Sequence, residues 1–361
     1  MTNYVLGLMS GTSADGLTVS AIVPEPFQIV CFKNYPYPKK FQQKLLTAYQ
    51  LTAPTLSELH YEIGALYAKM VKRFLKEHGL SAAQVAAVGM HGQTVYHGPL
   101  DKTPNTLQLG EPSFLAAALS CPVVSDFRAM DIAQGGQGAP LIPFFDEYLW
   151  GQGVPKILVN IGGISNLSVV GKHVKTFGFD CGPGNTLLDL ACQHYFHKPF
   201  DKNGAFAAKG TPDTKWVVQL LKQPFFKQKP PKSVDKNVFG ASYLNRYFKI
   251  KNPYDLLATL TYFTAAGIAQ AVTDFVPAPA RQEIIISGGG GYNQTLLRML
   301  SGLLPESWLT TSASYGIPAQ AKESAAFALF AWLNLERKIN HCARATGARK
   351  NTILGKVTLC K

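Results

Sequence analysis

The sequence predicts an α/β protein made of two similar domains, and three observations carry this prediction. A chain of 361 residues that is 47% hydrophobic and 16% charged can fill two ordinary cores. Stretches with strand-like and helix-like periodicity alternate along it. Each half also repeats one series: a strand, a turn of glycine, serine or threonine, and a returning strand. We expect an N-terminal α/β domain at 1–135 and a C-terminal α/β domain at 136–344, with the tail 345–361 packing back on the first.

The first half opens with a predicted hairpin. An apolar start at 4–6 runs into "GLMSGTSADG", and an apolar stretch at 17–23 follows that turn. A strand at 29–32 comes next, and apolar residues at helical spacing predict a helix over 56–78. Strands are predicted at 85–90 and 123–125; they run into "HGQT" and "DFR" respectively. The glycine and proline of "AQGGQGAPLIP" then indicate a hinge or a strained loop.

The second half repeats this order. A buried strand at 156–161 ends in Gly-Gly, its hairpin partner spans 165–170, and a strand at 176–179 leads into Asp180. Two helices are predicted, at 186–196 and 256–276. The last predicted strand spans 283–286, runs into "SGGGGYN", and is followed by a helix that opens at Asn293.

Composition excludes several classes of protein. The balance of 35 Lys and Arg against 22 Asp and Glu gives a net charge of +13, concentrated at 222–251 and after Glu336. Such charge suits an anionic ligand or nucleic acid, but no helix-turn-helix or zinc finger is readable, so we predict no nucleic-acid partner. Six scattered cysteines show neither a C-x-x-C pair nor zinc spacing, which favours buried free thiols. The longest weakly polar run, 113–124, is too short for a membrane span, and the N-terminus does not resemble a signal peptide, so we expect a cytoplasmic protein.

The glycine-rich turns suggest where phosphate binds. Turns such as "SGTS" and "NIGGIS" expose backbone N–H groups and hydroxyls to a common point, which suits phosphate oxygens. A third turn, "SGGGGYN", opens a helix, where N-terminal amides favour an anion or the edge of a nucleotide. A tight hairpin or a crowded helix start explains any one of these turns, but the series of three favours a nucleotide site.

Other nucleotide and hydrolase motifs are absent from the sequence. It contains no G-x-x-x-x-G-K-[ST] and no G-x-S-x-G, which excludes a P-loop protein and the nucleophile elbow of α/β-hydrolases. The run "GGGGYN" lacks the ending of a dinucleotide fingerprint and lies far from the first strand.

Nine blocks of sequence resemble a known family. Two β-rich halves with phosphate-binding hairpins resemble the actin-like ATPase (ribonuclease H-like) superfamily of sugar kinases, actin and heat-shock chaperone ATPases, which implies a cleft between the domains. Within it the chain is similar to anhydro-N-acetylmuramic acid kinases from residue 7 to about 328. The blocks are "GLMSGTSADG", "HGQTVYH", "TLQLGEP", "SDFRAMDIAQGGQGAPLIP", "NIGGISNL", "GFDCGPGNTLLD", "LATLTYFTA", "SGGGGYN" and "IPAQAKESAAFA".

The chain departs from the family pattern at a few positions. Ala14 stands where leucine is usual, Thr18 where aspartate is common, Cys181 where threonine is common, and Gly291-Tyr292 where Ala-His is common. We expect these differences to affect substrate preference more than activity.

The resemblance implies a kinase that opens the 1,6-anhydro ring of its amino sugar with water and phosphorylates the released O6 from ATP. The product is N-acetylmuramic acid 6-phosphate, an intermediate of peptidoglycan recycling. The anhydro sugar has no free O6 hydroxyl to deprotonate, so the catalytic base must act on water. Asp180 is the candidate base, since its carboxylate follows an apolar strand and precedes Gly-Pro-Gly; a cap of that turn is the alternative reading.

Candidate substrate-binding residues follow strands of the first half, where ligands gather in open α/β sheets. Arg128 suits the lactyl carboxylate of the sugar or could polarise the sugar, although a pairing with Asp126 is the alternative. For His91 the sequence favours a buried structural residue over a contact to the sugar. Glu323, in "AKES" at a helix start, suits a contact to sugar or water, or a helix cap. The candidate substrate-binding set is Gln93, Thr94, Asp126, Arg128 and Glu323.

For ATP, the resemblance implies three groups of contacts, from the first turn, the second turn and the adenosine loop. They are Gly11, Thr12, Ser13, Ala14, Asp15, Gly16, Leu17 and Thr18; Asn160, Gly162 and Gly163; and Gly288, Gly289 and Gly290. Mg²⁺ is expected with ATP. Its protein ligands stay open between Asp15 and Asp180, since Met9 stands where the superfamily usually has an acidic ligand.

Two other classes of function stay open at this point. A non-kinase ATPase of the same fold needs the nucleotide turns but no sugar site. A sugar-sensing regulator binds ligand without turnover, and it normally carries a DNA-binding module, which is not readable here. The family also implies a possible homodimer.

Overall fold

The computed structural model describes residues 3–230, 232–234 and 238–360. The chain divides into two compact units. The first unit is Met1–Phe145 with Gln320–Lys361, and the second unit is Asp146–Ala319. The boundaries differ from those expected at 135 and 344, because residues 136–145 and 320–344 belong to the first unit.

The first unit is built on a seven-stranded sheet. Its strands are β1 (Tyr4–Ser10), β2 (Gly16–Val23), β3 (Gln28–Pro36), β4 (Val85–Gly98), β5 (Asn105–Leu109), β6 (Val123–Ser125) and β12 (Lys356–Thr358). Their order is β12-β6-β4-β1-β2-β3, and β5 pairs with β4. β1 pairs antiparallel with β2, and β2 with β3, whereas β4 runs parallel to β1, and β6 runs parallel to β4.

Helices cover this sheet. They are α1 (Lys39–Leu46), α2 (Ala53–Glu77), α3 (Ser113–Leu119), α4 (Ala129–Ala133), α12 (Lys322–Leu335) and α13 (Ala343–Thr346), with short 3₁₀ turns at Ala48–Gln50 and Ala82–Gln84. Helix α5 (Ile142–Trp150) contains the first boundary between the units. The longest helix of this unit shows why its residues form a helix. Leu59, Ile63, Tyr67 and Val71 of α2 recur every four residues and are buried, so one stripe faces the core.

Close backbone contact explains why α12 belongs to the first unit. A Cβ on Gly7 of β1 would lie 1.8 Å from the carbonyl oxygen of Ser324, and one on Gly89 of β4 would lie 1.9 Å from that of Phe327. Glycine at both positions therefore lets α12 pack directly on the sheet. The tail reaches the same unit, since β12 pairs antiparallel with β6.

The second unit is built on a five-stranded sheet. Its strands are β7 (Lys156–Ile161), β8 (Ile164–Val170), β9 (Phe177–Pro183), β10 (Glu283–Ser287) and β11 (Trp308–Thr311). Their order is β11-β10-β7-β8-β9. β7, β8 and β9 are antiparallel neighbours, and β10 runs parallel to both β7 and β11.

The helices of the second unit surround two apolar clusters. They are α6 (Thr186–Phe196), α7 (Thr214–Leu220), α8 (Pro224–Lys227), α9 (Ala241–Tyr247), α10 (Pro253–Phe275) and α11 (Gln294–Leu303), with 3₁₀ turns at Lys202–Gly204, Ala207–Lys209, Ala278–Arg281, Gly289–Tyr292 and Ser312–Tyr315. Helix α10 is long and apolar enough to cross a membrane, but 83% of its most apolar window is buried in the protein, as is usual for a core helix. The expectation that 113–124 is the longest weakly polar run was therefore wrong.

The two sheets share one topology. When β5 and β12 of the first sheet are set aside, each sheet has five strands that follow the order 3-2-1-4-5 when numbered along the chain. In both, the first three strands are antiparallel neighbours, and the last two run parallel to the first. The prediction of two similar α/β domains of the actin-like type is confirmed.

Candidate functional site

The first glycine-rich turn joins β1 to β2 and is held by its neighbours. The amide of Ala14 donates to the carbonyl of Gly11 at 3.0 Å, which closes the turn. The side-chain amide of Gln42 donates to the carboxylate of Asp15 at 2.8 Å and to the carbonyl of Ser13 at 3.1 Å. Thr12 and Ser13 are exposed at the tip. The backbone of the turn is thus fixed while its tip stays open to a ligand.

The remaining candidate ATP contacts of the first turn are Ala14, Gly16, Leu17 and Thr18. Ala14 and Leu17 are fully buried, so their side chains belong to the core. A Cβ on Gly16 would lie 2.4 Å from the carbonyl oxygen of Tyr35, so glycine lets β2 approach β3 closely. Thr18 accepts a hydrogen bond from the side chain of Asn34 at 3.0 Å.

Gln93 braces this turn. Its side chain accepts from the hydroxyl of Ser10 at 2.6 Å and donates to the carbonyls of Gly11 at 3.1 Å and Thr94 at 3.3 Å. The residue lies inside β4 and is 1% exposed. The strand expected to end at Met90 continues through Gly98, so Gln93 and Thr94 are strand residues that pair with β5. Gln93 supports the expected phosphate turn, and Thr94, half-buried next to it, accepts from Gln108 at 3.4 Å.

A cavity of about 150 Å³ lies beside the turn, a size that suits one small polar group such as a phosphoryl. Two carboxylates, Asp15 and Glu323, contribute to its wall. The lining residues are Met9, Gly11, Ser13, Asp15, Gly16, Thr18, Asn34, Gln320 and Glu323. The structure therefore places Glu323, expected near the sugar, next to the turn expected to bind phosphate.

Arg128 and Glu323 form a partly buried pair of charges near that wall. Burial raises the pKa of Glu323, and the positive charges of Lys322 and Arg128 oppose this shift. Burial lowers the pKa of Arg128 to about 10, and the carboxylates of Glu323 and Asp131 oppose that shift, so the guanidinium stays charged at neutral pH. The arrangement suits an anionic ligand that needs one cationic contact.

The guanidinium of Arg128 is held at two points. Its Nε–H donates to Nε2 of His91 at 3.0 Å, and an NH1 hydrogen goes to the carbonyl of Gly138 at 3.1 Å. Asp126 makes a different contact: its carboxylate lies 2.5 Å from the ammonium of Lys356 on β12. The Asp126–Arg128 pairing considered from the sequence is therefore not the contact that forms.

In the second unit, the turn at Gly162 and Gly163 lies against the start of α6. The carbonyl of Gly163 accepts from the amides of Gly184 at 2.8 Å and Thr186 at 3.2 Å, and that of Gly162 accepts from Asn185 at 2.7 Å. A Cβ on Gly184 would lie 2.2 Å from the carbonyl oxygen of Gly162. The turn and the helix N-terminus can approach so closely only because this position is glycine.

The adenosine loop lies against the same turn. Gly288 has a φ of +81°, and a Cβ there would lie 2.5 Å from the side-chain oxygen of Asn160. A Cβ on Gly290 would lie 2.3 Å from Ile161, whereas Gly289 is exposed. The second and third groups of candidate ATP contacts are therefore adjacent within this unit.

Asp180 lies within β9, not after its end as expected. Asn166 of β8 pairs with Asp180 and Ser165 with Gly182, so the pairing skips Cys181. Such a β-bulge redirects side chains and is frequent beside active sites. The strand continues through Pro183, which the glycine and proline of "CGPG" had concealed in the sequence.

Residues 232–234 hold Asp180 on both its backbone and its side chain. The amide of Asp180 donates to the carbonyl of Lys232 at 3.0 Å, and the amide of Val234 donates to Oδ2 of Asp180 at 2.8 Å. Among the described residues, Oδ1 of Asp180 accepts no hydrogen bond. Burial raises the pKa of Asp180 to about 6, while the Val234 amide and the charge of Lys232 oppose the shift. A carboxylate of this pKa is a suitable general base near neutral pH.

Lys232 anchors this segment in an aromatic cage. It is 6% exposed, its ammonium lies 4.8 Å from the ring centres of Phe225 and Phe275 and 5.6 Å from that of Phe179, and it donates to the carbonyl of Phe225 at 3.2 Å. Cation–π contacts of a desolvated lysine are strong. In the sequence this region reads only as a basic stretch at 222–236, part of which lies outside the described residues.

Two further residues that support the site, Gln42 and Asp131, were missed from the sequence. The carboxylate of Asp131 accepts from the amide of Gly138 at 2.5 Å and lies 2.6 Å from Nε2 of His341. No local motif marks Gln42, which contacts the turn from a segment further along the chain. Asp131 lies within the block "SDFRAMDIAQGGQGAPLIP", and its place before "AQGGQG" was the only signal for it.

Among the described residues, no cluster of three or more His, Cys, Asp or Glu side chains is arranged to hold a metal ion. Mg²⁺ commonly binds through one or two carboxylates together with water and substrate phosphates. Asp15 and Glu323 in the wall of the cavity, with the nearby hydroxyls of Ser13 and Thr18, offer oxygen ligands of that kind.

Comparison with known proteins agrees with this geometry. The family model described as anhydro-N-acetylmuramic acid kinase matches residues 3–360. A relative of that name from Bacillus cereus is 35% identical over 98% of this chain and 99% of its own. A relative from Caldanaerobacter subterraneus subsp. tengcongensis is 34% identical over 98% of this chain and 96% of its own. A relative from Pasteurella multocida is 35% identical over 99% of this chain and 97% of its own. This chain belongs to the anhydro-N-acetylmuramic acid kinase family.

Proposed function

We propose that this protein is an ATP-dependent kinase that converts 1,6-anhydro-N-acetylmuramic acid, water and ATP into N-acetylmuramic acid 6-phosphate and ADP. Membership of the family supports the reaction class. The observation in the structure that carries the proposal is Asp180, whose partly buried carboxylate is fixed on one oxygen by the Val234 amide. The reaction serves peptidoglycan recycling, and we place it in the cytoplasm.

In the proposed step, Asp180 takes a proton from water while the water oxygen bonds to C1 of the sugar. The C1–O6 bond breaks, and O6 bonds to the γ-phosphorus of ATP as the bond to the bridging oxygen of ADP breaks. The proton on Asp180 passes to solvent afterwards, so the atoms balance as one water and one phosphoryl group added to the sugar. Attack from the face opposite the bridge inverts C1.

Residues of the first unit bind and orient the sugar in this proposal. Arg128 pairs with the lactyl carboxylate, because its guanidinium is charged, partly buried and held at two points. Thr94 and Glu323 contact the sugar or the attacking water. Asp126 contributes through its loop, since its carboxylate pairs with Lys356.

Two groups of turns bind ATP in this proposal. The backbone of residues 11–18 holds phosphate oxygens, and Gln93 supports that turn from β4. Asn160, Gly162 and Gly163 hold phosphate from the second unit, with Gly288–Gly290 beside adenosine. Asp15 would hold Mg²⁺ directly or through water, and the ion would supply neutralisation of phosphate charge.

Two further statements from the sequence stay predictions. A homodimer would elute with twice the 39.3 kDa mass of one chain in size exclusion with light scattering, and the mass of one chain would contradict it. The absence of a nucleic-acid or membrane partner is tested by retention on duplex DNA and on vesicles, and we expect neither.

The function is tested by ADP release with Mg-ATP, with and without the anhydro sugar, on wild type, Asp180→Asn and Asp101→Asn. Asp101 is a matched control, since it lies in the exposed β4–β5 hairpin. We expect sugar-dependent ADP release in wild type and Asp101→Asn, and a product heavier by water plus a phosphoryl group. Equal ADP release without sugar would instead identify a non-kinase ATPase, and sugar binding without turnover a regulator.

A further inference from the structure

Both ring nitrogens of His91 are engaged, and their partners identify its tautomer. Nδ1 lies 2.8 Å from the carbonyl oxygen of Gly92, and Nε2 lies 3.0 Å from Nε of Arg128. A carbonyl only accepts, so Nδ1 carries the proton. Nε2 therefore presents its lone pair to the Nε–H of Arg128, a group that can only donate.

The surroundings keep this imidazole neutral and in place. His91 is 3% exposed, lies in β4, and packs on the ring of Phe327 of α12 at a centroid distance of 4.8 Å. Burial, and then the charge of Arg128, lower the pKa of His91 to about 3. A neutral imidazole is the only form whose Nε2 can accept from a guanidinium.

The other side of the guanidinium rests on a loop that is itself fixed. One NH1 hydrogen of Arg128 goes to the carbonyl of Gly138, and the amide of Gly138 donates to Asp131. Asp131 in turn accepts from the hydroxyl of Thr346 at 2.5 Å. With Nε and one NH1 hydrogen engaged, the three remaining N–H groups of Arg128 make no hydrogen bond to the described residues.

We propose that His91 is a positioning residue, which orients the guanidinium of Arg128 so that its remaining N–H groups receive the carboxylate of an acidic sugar. The inference deepens the proposed function and rests on it for the identity of the ligand. It also assigns His91 a role apart from the sugar, because both of its nitrogens are used within the protein.

Selectivity for the acidic side chain of the sugar follows. A guanidinium fixed in its plane can pair with a carboxylate through two parallel hydrogen bonds, whereas a freely rotating one loses entropy on binding. Removing the Nε2 acceptor leaves Arg128 charged but loosely oriented and leaves a buried donor unpaired. The loss should therefore affect sugars that carry a carboxylate and spare those that lack one.

The test compares His91→Leu with His91→Gln on two sugars, 1,6-anhydro-N-acetylmuramic acid and 1,6-anhydro-N-acetylglucosamine, which lacks the lactyl group. Leucine has no acceptor, whereas the glutamine side chain supplies an oxygen for Arg128. With the muramic sugar we expect His91→Leu to raise KM about tenfold and His91→Gln to restore most of it. KM for ATP and for the second sugar should change less than about twofold, which is the scatter expected for sites that do not interact.

A double-mutant cycle with Arg128→Leu separates positioning from general support of the fold. If His91 acts through Arg128, His91→Leu adds nothing to the KM of the muramic sugar once Arg128 is leucine. Independent, additive effects would overturn the proposal. An equal rise in KM for both sugars would overturn it as well.

A readout that does not depend on turnover keeps this test distinct from that of the function. In ¹H–¹⁵N spectra, the Nε–H of Arg128 should give a slowly exchanging signal in wild type and His91→Gln that disappears in His91→Leu. An unchanged signal in a folded His91→Leu would contradict the contact. A wild type that shows the signal but no sugar-dependent ADP release would contradict the proposed function and leave the positioning contact standing.

Discussion

The two glycine-rich turns occupy the same place in two sheets of the same topology, yet they are held in different ways. In the first unit, the side chains of Gln93 and Gln42 brace the turn, and its tip is open. In the second unit, the backbone of α6 lies against the turn, and Gly184 makes that approach possible. The shared topology therefore fixes where each turn lies in its sheet, while the residues around the turn decide how it is held.

The same contrast holds for the acidic residues. Burial raises the pKa of both Asp180 and Glu323. Asp180 keeps one oxygen on a backbone amide, whereas Glu323 shares its surroundings with Arg128. The second unit thus supplies a candidate base, and the first supplies a pair of charges suited to an anionic sugar.

The largest expected effect is the loss of kcat when Asp180, the candidate base of the second unit, is replaced. Asp180→Asn keeps a hydrogen-bond acceptor for Val234 but removes the base, so kcat should fall about 10³-fold. Glu323→Gln should lower kcat less, because it leaves the base in place. Steady-state ADP release under saturating substrates measures both, and a larger loss in Glu323→Gln would reverse the assignment.

Asp180→Asn should also stabilise the fold. The raised pKa means that native Asp180 keeps its proton to about pH 6, above the unfolded value, so ionisation costs stability as pH rises through this range. Asp180→Asn should therefore raise the melting temperature at pH 8 and change it little at pH 4. Equal shifts at both pH values would contradict a carboxylate whose ionisation is opposed by burial.

The two turns should respond differently to an added methyl group. Gly184→Ala should lower the free energy of unfolding by about 2 kcal/mol, because its Cβ would meet a backbone carbonyl. Gly11→Ala meets only the side chain of Ser13 at 3.8 Å, so its cost to the fold should be below about 0.5 kcal/mol. Denaturant unfolding measures both values, and the contrast fails if Gly11→Ala is the more damaging.

A smaller effect tests the segment that holds Asp180. The charge of Lys232 lowers the pKa of Asp180, so Lys232→Met should raise it and shift the acid limb of the kcat/KM profile upward. In wild type that limb should rise as pH increases through about 6. Lys232→Arg keeps the charge and should leave the midpoint nearer that of wild type; identical midpoints in all three proteins would contradict the coupling.

The smallest effect concerns the brace of the first turn. Gln93→Leu removes two hydrogen bonds to the turn, and we expect KM for ATP to rise about fivefold with a smaller change in KM for the sugar. Thr94→Val, one residue along β4, is the matched control and should affect the sugar more than ATP. The opposite pattern would place Gln93 at the sugar.

Periodicity and turn chemistry were enough to predict most of the fold. Strands at 123–125 and 156–161 and the helix at 186–196 were predicted with the bounds observed. The errors came where glycine was taken as the end of a strand. The glycines in "HGQT" and "CGPG" indicated strand ends, but β4 and β9 continue through them. The place of α12 depended on contact with Gly7 and Gly89, which no local pattern reveals.

The candidate site was predictable where a motif names its residues and not where distant segments meet. The family blocks named Asp180, Arg128 and the glycine turns. They gave no sign that Lys232 and Val234 hold Asp180, since a basic, proline-rich stretch reads as solvated charge. Likewise His91 was read as either substrate-facing or structural, and only its two hydrogen bonds distinguish a third role.

In the proposed reaction, water opens the anhydro ring with Asp180 as base. The most direct measurement is a rapid-quench reaction in ¹⁸O-labelled water with Mg-ATP and the anhydro sugar, with the product analysed by mass spectrometry before the anomeric oxygen exchanges. We predict one ¹⁸O at C1 of the sugar phosphate, none in its phosphoryl group, and no such product from Asp180→Asn. Label in inorganic phosphate with an unchanged sugar would contradict the claim.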